Sequence, residues 1–322
     1  MQAIQVAQVG GSEVLSVAEV PDPVPGPGQA VVELEACGVN FIDVYQRMGL
    51  YPMSLPFIIG QEGAGVVMAV GDSVEGVAVG DRVAFTSIPG AYAEQIAVPV
   101  DRLVNVPDQV ELATGGGIML QGLTAHYLAH DTYQLGPDST CLIHAGAGGV
   151  GLLLTQIAKR LGATVFTTVG TGEKAELAHA AGADHVIVYT QTDFADEVRA
   201  IVGDNRLDVV YDSVGVDTFD RGLDLLRPRG LMALFGQSSG VVAPFDLQRL
   251  ARGGSLYVTR PSLGAYIASR QELLRRSGDL FTWIAAGDLS VRIGATYPLA
   301  EAAAAHDALE GRATTGKVIL IP

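Results

Sequence analysis

The six residues Gly146-Ala147-Gly148-Gly149-Val150-Gly151 place glycine at 146, 148 and 151. They follow the apolar run TCLIH (residues 140–144) and precede a segment in which Val150, Leu154, Ile157 and Leu161 recur at helical spacing. A strand, a GxGxxG turn and a helix in that order constrain the fold more than any other feature of the chain. Glycine permits the tight turn, and the first N–H groups of the helix, aided by its dipole, form a site for a pyrophosphate. The plain alternative is a tight strand-to-helix turn without a ligand. Lys159 and Arg160 fall in the last helical turn and Gly162 is placed to end the helix.

Five further β-branched or apolar runs come later, at 164–169, 185–189, 208–212, 231–235 and 255–259, separated by segments of helical period. This alternation predicts a parallel sheet with crossover helices. The first 120 residues differ. Short alternating runs such as AVVELEACGV are broken by Pro and Gly clusters, including PDPVPGPG at 21–28, so an antiparallel, mostly β region is expected there. Beyond the parallel sheet, residues 265–286 read as one helix and GKVILIP as a final strand, which buries its apolar face most economically by pairing back with the N-terminal β region. A length of 322 residues suits two such domains.

A second glycine cluster, Gly60-Gln61-Glu62-Gly63-Ala64-Gly65, has GxxGxG spacing and continues into the β pattern VVMAV. With no helix behind it, it is not the cofactor loop.

Charge and cysteine content narrow the function. Twenty Lys and Arg against 35 Asp and Glu give a net charge of −15, which phosphate backbones and anionic membranes repel. Nucleic acid and membrane partners are not expected. The start of the chain lacks a basic stretch followed by an apolar block, and no segment approaches about 20 apolar residues, so a soluble, unprocessed protein is expected. The two cysteines, Cys37 and Cys141, form neither a disulfide framework nor a CxxC site, which suits the reducing cytoplasm.

The second parallel strand decides between nicotinamide cofactors. NAD-binding units place an Asp or Glu at its tip to take the ribose hydroxyls. Here the tip carries Gly170 and Thr171, with Lys174 within one helical turn. A missing acid and a nearby lysine favour the 2′-phosphate of NADP(H). Lys174 as an ordinary solvated helix residue is the plain reading, but it leaves the missing acid unexplained.

With these residues in view, the chain resembles the medium-chain dehydrogenase/reductase superfamily, and within it the zinc-free, zeta-crystallin-like NADPH:quinone oxidoreductases. The carriers are CGVNFIDVYQRMGLYP (37–52), GQEGAGVV (60–67), GDRVAF (80–85), QGLTAHYL (121–128), HAGAGGVG (144–151), VYDSVG (210–215) and SLYVTRPSL (255–263). The resemblance implies an α/β protein in which a Rossmann-type doubly wound parallel sheet, residues 122–265, is inserted in a GroES-like, mostly β catalytic domain, residues 1–121 and 266–322. It implies a nicotinamide held between the two, and a homodimer, with exposed Rossmann edges near SLYVT as the expected contact. Zinc-dependent relatives have Cys, His and typically Cys where this chain has Asn40, Gln61 and Leu120, so no metal is expected.

Without a Lewis acid the substrate must itself be electrophilic, which quinones are. Catalysis then consists largely of holding nicotinamide against the acceptor in a dry site. The resemblance places Asn40 and Tyr45 beside the nicotinamide and its ribose, and Tyr51 in the substrate site, making these three the catalytic candidates. Read plainly, Asn40 with Asp43 is a helix N-cap and Tyr45 packs on that helix. By the same carry-over the cofactor is held by Asn40, Tyr45, Thr124, Gly146, Gly148, Gly149, Val150, Gly151, Gly170, Thr171, Lys174, Tyr189, Phe235, Gly236 and Arg312. Tyr189 otherwise reads as a strand-end aromatic and Arg312 as a solvated surface residue. The roles of His144 and Glu62 stay open, Glu62 reading as a structural hydrogen bond or charge pair. An NADPH-dependent enone or enoyl double-bond reductase is the alternative activity. An RNA-binding or lens-type structural role, known among relatives, belongs to another class, and the charge of −15 argues against RNA.

Overall fold

Strands from the two ends of the chain share one sheet. The computed structural model describes residues 1–204 and 207–322. Its contacts divide into two units, Met1–Leu123 with Tyr266–Pro322, and Thr124–Ala265.

The first unit begins with β1 (Gln2–Val6), β2 (Leu15–Glu19), β3 (Gln29–Val39), helix α1 (Phe41–Arg47), β4 (Phe57–Ile58), β5 (Glu62–Val70), β6 (Arg82–Thr86), β7 (Gln95–Pro99) and β8 (Val104–Asn105). Helix α2 (Leu112–Tyr127) comes next. Pro and Gly at 21–28 hold the chain out of regular structure between β2 and β3. Along β3 the alternation turns Val32 and Leu34 into a core with Val67, Phe85 and Val98. Each fully buried side chain of this size contributes about 1.5–3 kcal/mol.

The second unit contains β9 (Thr140–Ile143), α3 (Gly149–Arg160), β10 (Thr164–Val169), α4 (Gly172–Ala180), β11 (His185–Val188), α5 (Phe194–Val202), β12 (Leu207–Asp212), α6 (Phe219–Leu223), β13 (Leu226–Leu234), α7 (Gln248–Arg252) and β14 (Tyr257–Thr259). The six strands form one parallel sheet in the order β11-β10-β9-β12-β13-β14. This is the doubly wound order whose topology reverses beside the first strand, so the carboxyl end of β9 is where a ligand crevice opens. Leu154 and Ile157 of α3 are fully buried, and Gly162 ends that helix with a φ of 86°.

Three boundaries depart from the sequence reading by more than one residue. The expected helix over 265–286 is two: α8 (Leu263–Tyr266) and α9 (Arg270–Ala285). Ser269 leaves the helical region, with φ −91° and ψ 146°, and its Oγ accepts from the Glu272 N–H at 3.2 Å, so a fresh N-cap interrupts the run. Strand β13 begins five residues early, at Leu226, because its ladder continues past a register shift around Pro228 and Gly230 that reads as a turn. Strand β14 starts only at Tyr257, since Gly254 and Ser255 both take positive φ.

The chain then returns to the first unit as β15 (Ile293–Pro298), α10 (Ala302–Glu310) and β16 (Lys317–Ile321). Strand β16 runs antiparallel to β3, with Val318 opposite Val39 and Leu320 opposite Cys37, as its apolar face requires. The resulting seven-stranded sheet has the path β15-β16-β3-β5-β6-β8, with β7 also on β3.

Candidate functional site

In the second unit the glycine run forms the link from β9 to α3. A Cβ on Gly146 would lie 1.9 Å from Thr167 Oγ1, and one on Gly151 would lie 2.3 Å from the Ala145 carbonyl oxygen. Both positions therefore exclude a side chain. Gly148 caps α3 in extended geometry, and no side-chain oxygen caps the first turn. Gly149, Val150 and Gly151 thus open a 12-residue helix with backbone donors at its positive end. The Gly146 N–H donates to the Thr168 carbonyl at 2.9 Å, which ties the loop to β10.

Gly170 and Thr171 come directly after β10. Thr171 caps α4, accepting from the Lys174 N–H at 3.3 Å, so Lys174 stands in the first turn of that helix. Tyr189, just past β11, reaches this corner: a Cβ on Gly170 would lie 2.9 Å from its hydroxyl. Four expected cofactor residues, Gly170, Thr171, Lys174 and Tyr189, are therefore gathered at the carboxyl ends of β10 and β11, next to the glycine loop. No carboxylate stands at the tip of β10. Phe235 and Gly236 leave the end of β13, their N–H groups donating to the Asp212 carbonyl at 2.8 and 3.2 Å. Thr124 is buried on α2.

His144 proves to be a wedge beneath the loop. Its Nδ1 lies 2.9 Å from Thr168 Oγ1 and its ring meets Phe194 edge to face at 4.9 Å. Burial lowers its pKa, and Nε2 has no hydrogen-bond partner among the described residues, so it sits neutral in the core.

In the first unit, Asn40 precedes α1 and meets Asp43 reciprocally: its N–H donates to Asp43 Oδ2 at 2.8 Å, and the Asp43 N–H donates to its carbonyl at 3.0 Å. The plain helix-cap reading of Asn40 is thus present in the structure. Its side chain does more. Nδ2 donates to Glu62 Oε1 at 2.7 Å and to the Gly38 carbonyl at 3.2 Å, while Oδ1 accepts from Lys317 at 2.8 Å and from Gln121 at 3.3 Å. Glu62 Oε1 also pairs with Lys317, and Oε2 accepts from the Leu120 N–H at 2.6 Å. Both ions are buried. Glu62 is therefore the charge partner of a lysine that the sequence reading did not single out. A charged side chain in the otherwise apolar strand KVILI was the available signal.

Tyr45 and Tyr51 come together: the Tyr51 N–H donates to the Tyr45 carbonyl at 3.2 Å, and the rings meet edge to face at 5.4 Å. Phe41 extends the ladder, 6.1 Å from Tyr45. Arg312 occupies the exposed turn after α10, with φ 56°.

A second buried network lies behind α1. Arg47 can only donate, so the contact of 3.2 Å from its NH1 makes His306 Nδ1 the acceptor and leaves the proton on Nε2. That nitrogen lies 3.2 Å from the Tyr92 hydroxyl, which in turn donates to Asp43 Oδ2 at 2.9 Å. Burial pushes the Asp43 carboxyl up to about 7, against the pull of its Asn40 and Tyr92 bonds. Burial, then the Arg47 charge, pulls His306 down to about 3. Burial also pushes the Cys37 and Cys141 thiols up to about 12, which removes both as nucleophiles.

Residues 26–108 match the alcohol dehydrogenase GroES-like domain and residues 181–320 the zinc-binding dehydrogenase domain. Over 323 residues the chain is 45% identical to quinone oxidoreductase 1 of Escherichia coli K12, and the match covers 99% of each. The chain belongs to the quinone oxidoreductases of the medium-chain dehydrogenase/reductase superfamily. An E. coli quinone oxidoreductase solved in complex with NADPH has the same fold, with a TM-score of 0.98 and 44% identity over 100% of both chains. A 2-haloacrylate reductase from a Burkholderia species is 43% identical over 334 residues, covering 100% of this chain and 99% of its own.

The family's zinc-binding domain name raises a question that the residues of this quinone oxidoreductase answer. Asn40 and Leu120 both donate to Glu62, and Gln61, the neighbour of Glu62, donates through its amide to Gln46 at 3.1 Å. Two amides and a leucine offer neither thiolate nor imidazole, and the one carboxylate is bound to Lys317. Among the described residues no group of three or more His, Cys, Asp or Glu is arranged to hold a metal ion. The donor set does not fit zinc.

Proposed function

We infer that this chain is a zinc-independent NADPH:quinone oxidoreductase. The observation that carries the cofactor is the corner at the end of β10, where Gly170 and Thr171 rather than an acid occupy the strand tip, Tyr189 closes on Gly170, and Lys174 stands in the first turn of α4 with Glu173 beside it. There Lys174 and the Tyr189 hydroxyl bind the 2′-phosphate, and the N–H groups opening α3 bind the pyrophosphate. Phe235 and Gly236, at the end of β13, Thr124 on α2 and Arg312 complete the cofactor contacts.

NADPH, when bound, supplies the reducing equivalents, and the quinone takes its protons from water. The chain's own task is orientation. Tyr45 and Tyr51 supply aromatic surface for a flat acceptor. Asn40 contributes through a fixed position: its amide already makes four hydrogen bonds, so its side chain holds the start of α1 against Glu62 and Lys317. This fits acceptors that need no acid, base or metal to become electrophilic.

The test is turnover of a panel of quinones and enones followed by NADPH absorbance; activity confined to enones sinks the quinone reading. Reduction of activated double bonds is the second reading, favoured by the similarity to the 2-haloacrylate reductase. The chain works as a homodimer in the cytoplasm, without nucleic acid. Strand β14 is an open sheet edge with Tyr257 exposed, Cys37 and Cys141 are free buried thiols, and the charge is −15. Sedimentation at the monomer mass would refute the dimer, and salt-sensitive RNA retention on filters would refute the last point. Among the described residues no helix is long and apolar enough to cross a membrane.

A further inference from the structure

The stretch Met48 to Ile59, MGLYPMSLPFII, contains no charged residue, and neither does Ala7 to Gly11, AQVGG. Apart from the buried Ile59 and the half-buried Met53, Phe57 and Ile58, the longer stretch lies at the surface, as does the shorter one, in a protein whose net charge is −15. Val9 is 51% exposed, Met48 49%, Leu50 48%, Leu55 46% and Tyr51 37%, so each presents apolar surface where polar side chains are the rule.

The two loops are one feature. The Gly10 N–H donates to the Arg47 carbonyl at 3.1 Å, and Arg47 Nε donates back to the Gly10 carbonyl at 3.2 Å. A Cβ on Gly49 would lie 3.0 Å from Val9 Cγ1, which sets Val9 directly over the turn after α1. The patch is continuous with the Phe41–Tyr45–Tyr51 ladder through Tyr51 itself.

The neighbouring cations are committed inward. Arg47 directs NH1 to His306 and NH2 to Glu310, the latter at 2.9 Å. Lys317 gives its three donors to Glu62, the Val39 carbonyl and Asn40. Both are buried. A carboxylate on an acceptor seated at Tyr51 would therefore gain no charge partner from either, while its apolar neighbours strip part of its water.

We propose that Val9, Met48, Leu50 and Leu55 form an apolar rim that selects neutral acceptors carrying an alkyl or aryl extension, and rejects anionic acceptors such as 2-haloacrylates. The proposal rests on the quinone reading and names the substrate class within it. The ring stacks at Tyr45 and Tyr51, and the extension lies along the rim.

The experiment measures kcat/KM for 2-alkyl-1,4-naphthoquinones of increasing chain length, with 2-chloroacrylate as the anionic acceptor. Full burial of a methylene is worth about 0.8 kcal/mol, a factor of roughly four, and a half-open rim should return about twofold per methylene. The gain should fall on KM and should collapse to near zero in the triple variant Met48→Ser/Leu50→Ser/Leu55→Ser. Its thermal midpoint should stay near wild type, because all three side chains are exposed. Turnover of 2-chloroacrylate should be at least about a hundredfold below that of the quinones. A flat chain-length series in the wild type, an unchanged slope in the triple variant, or comparable turnover of 2-chloroacrylate overturns the rim while leaving quinone reduction intact. A triple variant that changes the sedimenting mass also overturns it, by making the patch a subunit contact. Failure of every quinone, the unsubstituted one included, would instead remove the underlying reading.

Discussion

The chain has two clusters of glycine that look alike in sequence, and the protein uses them in opposite ways. Around Gly60 to Gly65 the missing side chains are replaced by the protein itself: the Tyr92 ring fills the place of a Cβ on Gly60, 2.3 Å away, and the Glu33 carbonyl fills that of Gly65 at 1.8 Å. Around Gly146 to Gly151 the close approaches fold the loop onto β10 and Ala145, and the first turn of α3 is left without a side-chain cap. One cluster lets β strands close on a packed interior; the other turns the chain into the positive end of a helix, the place we propose for the pyrophosphate. Glycine count cannot separate them. The element behind each cluster, a strand in one case and a helix in the other, does.

Substitution should break this comparison most sharply at Gly65. Gly65→Ala drives a Cβ into backbone that cannot yield, and should cost more than about 4 kcal/mol in urea unfolding or give no folded protein. Gly148→Ala meets only the Ala145 carbonyl at 3.1 Å, at an ordinary φ of −76°, so it should fold within about 1 kcal/mol of wild type while weakening NADPH in a fluorescence titration. Equal losses of stability at the two sites would erase the distinction.

The packed region also holds the buried pair of Glu62 and Lys317. Lys317→Met leaves Glu62 uncompensated and should lower unfolding free energy by about 3–5 kcal/mol, with Asn40 losing its anchor. A loss below about 1 kcal/mol would mean that the pair does not organise this region.

Two further groups there give opposite pH dependences. Asp43, raised from 3.8 to about 7, keeps its proton in the fold where the unfolded chain loses it, so its contribution is full below about pH 4 and gone by about pH 7. His306, lowered from 6.5 to about 3, contributes fully above pH 6.5 and progressively less as pH falls toward 3. Between pH 4 and 6.5 the folded state holds one proton on Asp43 and the unfolded state holds one on the histidine, so the two slopes cancel. Asp43→Asn should unmask the histidine and make unfolding free energy fall on acidification through that window by up to about 1.4 kcal/mol per pH unit. Parallel pH profiles for variant and wild type would dismiss the cancellation.

In the ligand region the expected change is in binding and almost none in stability. Lys174→Ala should weaken NADPH roughly tenfold or more, leave NADH nearly unchanged, and shift unfolding by no more than about 0.5 kcal/mol. Equal weakening of both cofactors would take Lys174 away from the 2′-phosphate.

The glycine-loop region was the legible one because its signals are local. The spacing of Gly146, Gly148 and Gly151, the helical period from Val150 to Leu161 and the bare strand tip at Gly170 each lie within a few residues, and β10 appeared at the bounds the pattern gave. The Asn40 region was legible only in part. Its cap with Asp43 spans three residues and could be read, whereas the partners that saturate its amide, Glu62, Gln121 and Lys317, lie 22, 81 and 277 residues away. The break at Ser269 was missed because the helical period continues on either side of it, and a single cap outweighs the pattern.

The sequence by itself determined the two architectures, the place of the glycine turn between β9 and α3, the absence of an acid at the tip of β10 and the lack of thiolate or imidazole at positions 40, 61 and 120. Each depends on residue identity at short range, where backbone geometry and side-chain chemistry act directly. Only the tertiary structure decided that Glu62 answers to Lys317, that Asp43, Tyr92 and His306 form one chain, and that Val9 lies over the turn at Gly49. Those pairings arise when β16 closes on β3 and the N-terminal loop meets α1. Burial then makes their charges and contacts matter, by removing the water that would otherwise mask them.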